Sequence, residues 1–172
     1  MRTLTFNSIA ALAIAAIALV AVPARAADLP APSGDVVLEI TGKIERKNSD
    51  TAARLDMAFL KSLPRTSFST ATIWTKGVVK FEGVELATLL AAFKASGTTI
   101  SAIASNDYRV TIPVSDAQKG GPIVAYAMDG KPMSRRTTGP LWIVYPYDKS
   151  AAFRSEVIYS RSIWQLVKMD VQ

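Results

Sequence analysis

Apolar and polar side chains alternate along much of this chain, and the alternation predicts its strands. Val36, Leu38, Ile40, Gly42 and Ile44 have polar neighbours between most of them, the pattern of a half-buried strand. Thr66 to Ile73 repeats the alternation in a Thr- and Ser-rich form, which predicts a further strand. Shorter strands are expected at Thr99–Ala104, Arg109–Pro113 and Ile123–Met128; Asp129-Gly130 then makes a turn before the apolar run Pro140–Tyr145. Two segments have helical character instead. Asp56 can N-cap a short helix that reaches Leu63 and is stopped by Pro64. Leu86, Leu89, Leu90 and Phe93 share one helical face, with Gly97 as the expected C-terminal stop. The tail from Phe153 predicts a helical turn and a final strand around Val167–Val171. The expected fold is an α+β domain rich in β-structure, a mixed sheet or barrel-like arrangement with few helices and long ordered loops.

The start of the chain follows another pattern. Met1-Arg2 is a short basic start, Ile9 to Val22 is almost unbroken apolar sequence, and Ala24-Arg25-Ala26 is a small-x-small cleavage signal. Residues 1–26 are therefore expected to be a cleaved signal peptide, 27–35 a flexible leader and 36–172 the folded domain. An uncleaved membrane anchor is the alternative, but the apolar run is short beside the ~20 residues of a span. Cleavage implies a periplasmic protein.

Composition narrows the chemistry. The 172 residues include no cysteine and no histidine. That removes disulfide partners, Ser-His-Asp triads, HExxH zinc sites, histidine-ligated haem, and thiolate nucleophiles or metal ligands. Asp107, Asp116, Asp129 and Asp148 lie in separate segments without calcium-loop spacing, and the nine glycines form no phosphate-binding loop. The net charge of +6 falls to +4 once Arg2 and Arg25 are removed. The cations are scattered rather than striped, which argues against nucleic acid as a partner. Binding is favoured over unaided catalysis.

Four loop clusters hold polar and aromatic groups that a core does not need. They are Trp74-Thr75-Lys76-Gly77 with Phe81-Glu82-Gly83-Val84, Ser105-Asn106-Asp107-Tyr108, Arg135 to Pro140, and Tyr145-Pro146-Tyr147-Asp148 with Tyr159, Arg161 and Trp164 downstream. Each has a plainer explanation. Trp74 and Trp164 serve equally as core, Asn106-Asp107 as a turn, Arg135-Arg136 as a solvated loop, and Asp148 as a helix cap. Taken together they suit a flat aromatic ligand with a polar edge, stacked on rings and read by carboxylate, amide and guanidinium groups.

The chain resembles the molybdopterin-binding domain of the sulfite oxidase fold over roughly residues 36–171. The likeness is carried by Trp74-Thr75-x-Gly77, Phe81-x-Gly83-Val84-x-Leu86-x-x-Leu89-Leu90, Asn106-Asp107-Tyr108 with Ile112-Pro113, Ala125-Tyr126, Asp129-Gly130, Gly139-Pro140-Leu141-Trp142 and Tyr145-Pro146. The enzymes of that fold place a molybdenum-ligating cysteine in the segment matching Thr72–Gly77, where this chain has none. It is more similar to small exported members that bind a pterin without the metal. The resemblance implies a pterin ligand, and an inner-membrane partner such as a diguanylate cyclase or phosphodiesterase of c-di-GMP signalling that reads its occupancy. It places the pterin at Trp74, Asn106, Asp107, Tyr108, Arg136, Tyr147, Asp148 and Arg161, which are expected to surround one pocket. Trp74 or Tyr147 would stack on the ring, and Asp107 or Asp148 would read its donor edge. The alternatives are a molybdopterin-dependent oxidoreductase with an oxygen ligand on the metal, and an assembly protein that binds nothing.

Overall fold

The computed structural model describes residues 29–172. The expected signal peptide lies outside these residues. Among the described residues no helix is long and apolar enough to cross a membrane.

The chain runs β1 (Val36–Gly42), β2 (Ala53–Asp56), α1 (Met57–Ser62), β3 (Arg65–Ala71), β4 (Val78–Glu85), α2 (Leu86–Ala92), β5 (Thr99–Ala104), β6 (Arg109–Pro113), β7 (Ile123–Met128), β8 (Lys131–Pro132), β9 (Trp142–Val144), α3 (Glu156–Arg161) and β10 (Leu166–Val171). The strands form two sheets. The first is ordered β2-β1-β10-β5-β6; the second is ordered β3-β4-β7-β8, with β9 also paired to β7. Among the described residues only β1 and β10 pair in parallel, which makes the first sheet mixed. The result is the β-rich α+β fold that the alternation predicts.

Alternation explains the two faces of the first sheet. Leu38 and Ile40 of β1, Ala53 and Leu55 of β2, Met169 and Val171 of β10, and Ile100 and Ala102 of β5 are all buried. Between them Glu39 pairs with Lys168, and Thr41 with Asp170, on the opposite face. The buried set joins Phe81, Leu86, Leu89, Phe93, Ile123 and Trp142 in one hydrophobic cluster shared by both sheets and α2.

The helix expected after Asp56 forms as the capping rule requires. One carboxylate oxygen of Asp56 accepts from the Phe59 N–H at 2.8 Å. The other accepts from the Ser33 N–H and hydroxyl and from the Gly34 N–H, at 2.7, 2.9 and 2.9 Å. These donors hold the Asp56 carboxyl down at about 2, the Phe59 bond being the largest cause. They also attach residues 33–34 to the domain, and Leu29 is buried in the core.

Two expectations about local structure need correction. Phe81 to Val84 is not a loop: it belongs to β4, which pairs with β3 on one side and β7 on the other. The pairing with β7 shifts register between Glu82 and Gly83, a bulge that breaks the simple alternation. Gly83 is there for close approach, since a Cβ would sit 2.2 Å from the Val124 carbonyl oxygen. Gly97 is not the stop of α2. The helix ends at Phe93, and Lys94 itself takes the left-handed conformation at φ 49°. Gly97 instead lies against the final strand, where a Cβ would meet the Gln172 carbonyl oxygen at 2.3 Å.

Candidate functional site

The largest signal of function is a group of aromatic rings where the β3–β4 connection, the β5–β6 turn and the segment after α3 meet. Trp74 sits at its centre, half-buried. Its ring centroid lies 5.6 to 6.4 Å from those of Trp142, Tyr147, Tyr159 and Trp164, all in edge-on geometry. Each such pair contributes about 0.5–1.5 kcal/mol beyond area burial. The loop that carries Trp74 is held by Thr72, whose hydroxyl accepts from the N–H groups of Trp74 and Thr75.

Trp74, Tyr159 and Trp164 of this group border a cavity of about 440 Å³. Trp74, Tyr159 and Trp164 form one side; Asn106 and Tyr108 close the other; Ser160, Ser162, Ile163 and Ala104 complete the lining. No carboxylate, lysine or arginine lines it. The indole N–H groups of Trp74 and Trp164, the phenols of Tyr108 and Tyr159 and the amide nitrogen of Asn106 donate to no described residue. The cavity therefore offers flat apolar faces and free hydrogen-bond donors without net charge.

Behind the rings lies a satisfied polar core. The buried Tyr147 hydroxyl donates to Ser162 Oγ at 2.6 Å, which donates in turn to the Ile158 carbonyl at 2.8 Å. Burial pushes the Tyr147 phenol up to about 12. Tyr145 is pushed up further by burial and by its hydrogen bond to Asp116, at 2.8 Å. Trp142 Nε1–H donates to the Ser162 carbonyl at 3.3 Å.

Of the eight residues expected around one pocket, Trp74, Asn106 and Tyr108 line this cavity. Tyr147 lies behind Trp74 in the core. The other four are elsewhere, each for an identifiable reason. Asp107 occupies a left-handed turn position, φ 64°, and borders a separate hollow with Thr41, Arg109, Lys168 and Asp170. Asp148 binds the framework: its Oδ2 accepts from the Ala71 N–H at 2.6 Å and the Thr70 hydroxyl at 3.2 Å. Arg161 Nη1 donates to both oxygens of Asp116, at 2.8 and 3.2 Å. Arg136 is exposed on the loop before Gly139 and contributes only its backbone N–H, to Ser134 Oγ. Sequence reasoning left Tyr159, Ser160, Ser162 and Trp164 out of the site. The signal available for Trp164 was a tryptophan between a helix and a strand, and it is 38% exposed.

Two packed sheets, one mixed and one antiparallel, with few helices make this a sulfite oxidase-like β-rich α+β fold. The chain belongs to the oxidoreductase molybdopterin binding domain family, which matches residues 28–152. Tyr159 to Trp164, one side of the cavity, lie beyond the matched stretch. Among solved structures the chain is similar to the sulfane dehydrogenase SoxCD from Paracoccus pantotrophus, at 16% identity and a TM-score of 0.59. The likeness covers 78% of this chain and 37% of that one, and it shows the fold. No curated protein matches the sequence.

The cavity fits one half of a molybdenum cofactor better than the other. A flat pterin finds rings and donors. The metal half finds no thiolate, because the chain has no cysteine, and no lysine or arginine in the lining to balance a phosphate or an oxo-metal anion. Among the described residues no group of three acidic, histidine or cysteine side chains is placed to hold a metal ion.

Proposed function

We propose that this chain is a periplasmic pterin-binding protein that signals ligand occupancy to an inner-membrane partner, such as a diguanylate cyclase or phosphodiesterase. The observation that carries the reading is the position of Trp74. By the resemblance, the enzymes keep their metal-ligating cysteine in the segment matching Thr72–Gly77; this chain has no cysteine there, and its Trp74 lines the cavity. A metal anchor is replaced by a stacking surface. The pterin ring would lie against Trp74, Tyr159 or Trp164, and its carbonyl and ring nitrogens would accept from the free donors around it.

Signalling by occupancy needs no reaction: a ligand that favours one arrangement of the cavity wall shifts the population a partner recognises. The tests are direct. Acid extraction of purified protein should release a fluorescent pterin at close to one per chain, and elemental analysis should find no stoichiometric molybdenum. One molybdenum per chain with turnover of an oxo-acceptor would restore the oxidoreductase alternative. N-terminal sequencing of exported protein should begin at Ala27. Recovery of intact Met1 in the membrane fraction would contradict the location.

A further inference from the structure

We infer that Gln165 is the positioning residue of the cavity, the side chain that anchors the β5–β6 turn, one of its walls, to the neighbouring 134–138 loop. The inference rests on the reading of the cavity as a pterin site. Gln165 follows Trp164 and adopts φ 50°, a left-handed conformation that a Cβ disfavours. Glycine or asparagine would take that conformation more easily, so a reason for glutamine is required.

Its hydrogen bonds supply the reason. Its Nε2 donates to the carbonyls of Arg135 and Thr137, both at 2.9 Å, and its Oε1 accepts from Ser105 Oγ at 3.1 Å. Its backbone N–H donates to the Thr138 carbonyl and its own carbonyl accepts from the Ser105 N–H, at 3.1 and 2.9 Å. One residue thus ties the 134–138 loop to the β5–β6 turn, and that turn carries Asn106 and Tyr108 into the cavity. All three polar bonds of the side chain go to loops rather than to strands. No other described side chain bonds to both loops.

The experiment uses two variants and two readouts. Gln165→Ala keeps the left-handed backbone and removes the side-chain bonds; Gln165→Gly removes the same bonds and relieves the backbone. The first readout needs no ligand. Native trypsin cleavage after Arg135 and Arg136 should quicken by about tenfold in both variants, as expected when bonds holding those carbonyls are lost. Cleavage after Lys61, whose helix is untouched, should keep its rate. The second readout is fluorescence titration with 6-hydroxymethylpterin, whose affinity should fall about fivefold to tenfold in both variants. Gln165→Gly should recover thermal stability without recovering affinity, a split that a merely structural residue does not produce. Parental cleavage rates in both variants overturn the inference. Affinity that returns with stability in Gln165→Gly also overturns it. If the parent fails to bind the probe while the cleavage result holds, the pterin reading fails and the latch stands.

Discussion

The β5–β6 turn separates two hollows of similar size and opposite chemistry. On one side is the aromatic cavity of about 440 Å³; on the other is a polar hollow of about 510 Å³ bordered by Thr41, Asp107, Arg109, Lys168 and Asp170. The polar hollow is the more charged, and two of its four charged side chains, Asp170 and Lys168, are already engaged. Asp170 accepts from the Thr41 hydroxyl at 2.6 Å and the Gln172 amide at 3.0 Å, which holds its carboxyl below the usual range. Lys168 pairs with Glu39 at 3.1 Å, and Arg54 pairs with the same carboxylate. The aromatic cavity carries no charge and keeps its donors free. Volume and charge do not mark a binding site; unmet hydrogen-bonding capacity beside apolar surface does.

The contrast breaks most visibly at Trp74. Trp74→Ala should destabilise the fold by about 2–3 kcal/mol, below the cost for a fully buried tryptophan because Trp74 is half-buried. It should also weaken 6-hydroxymethylpterin binding more than tenfold. Urea unfolding and fluorescence titration measure the two separately, and parental affinity would move the site out of the aromatic cavity.

Asp148→Ala comes next. The carboxylate holds the end of β3, so its removal should cost about 1 kcal/mol of stability and leave probe affinity within twofold. A tenfold affinity loss at unchanged stability would return Asp148 to the site. Acid acts on the same kind of contact at Asp56. Its folded value of about 2 lies below the ordinary 3.8. Its stabilisation is therefore complete above pH 4 and is lost as pH falls through 2. Asp56→Asn should flatten that part of the stability–pH curve.

Asn106→Ala should weaken probe binding about threefold to fivefold, the worth of one neutral hydrogen bond. Lys168→Ala in the charged hollow should change stability by less than about 0.5 kcal/mol and binding not at all, since exposed ion pairs contribute little. An affinity change there larger than that of Asn106→Ala would reverse the contrast between the two hollows.

What the sequence made legible was local. The Asp56 cap, the apolar face of α2, and strands β1, β5, β6 and β7 depend on neighbours within a turn or a pleat, and their residues announce them. β4 was hidden because its bulge shifts the alternation at Glu82 and Gly83. Among the candidate site residues, Trp74, Asn106 and Tyr108 lie together as expected. Asp148 and Arg161 carry equally suggestive side chains but are engaged by Ala71 and Asp116, 77 and 45 residues away in sequence. Nothing in a linear pattern reveals such partners. Tyr159 and Trp164 join the cavity wall only through the tertiary fold, which sets the end of α3 and the segment after it against the β3–β4 connection.

The placement of β10 between β1 and β5 sets the order in which this molecule can be made. β1 and β5 have no hydrogen bonds to each other, so each keeps an unpaired edge until the last strand in chain order arrives. The bond from Thr41 to Asp170 closes a loop of 129 residues. At a synthesis rate of ~5–20 residues per second, the early half of the sheet waits for seconds with an open edge. Trp164 and Gln165 immediately precede that strand, so the cavity wall is completed as the sheet closes. A nascent chain stalled before Leu166 has neither a finished sheet nor a pocket, and ligand binding becomes a report that the whole domain has been built.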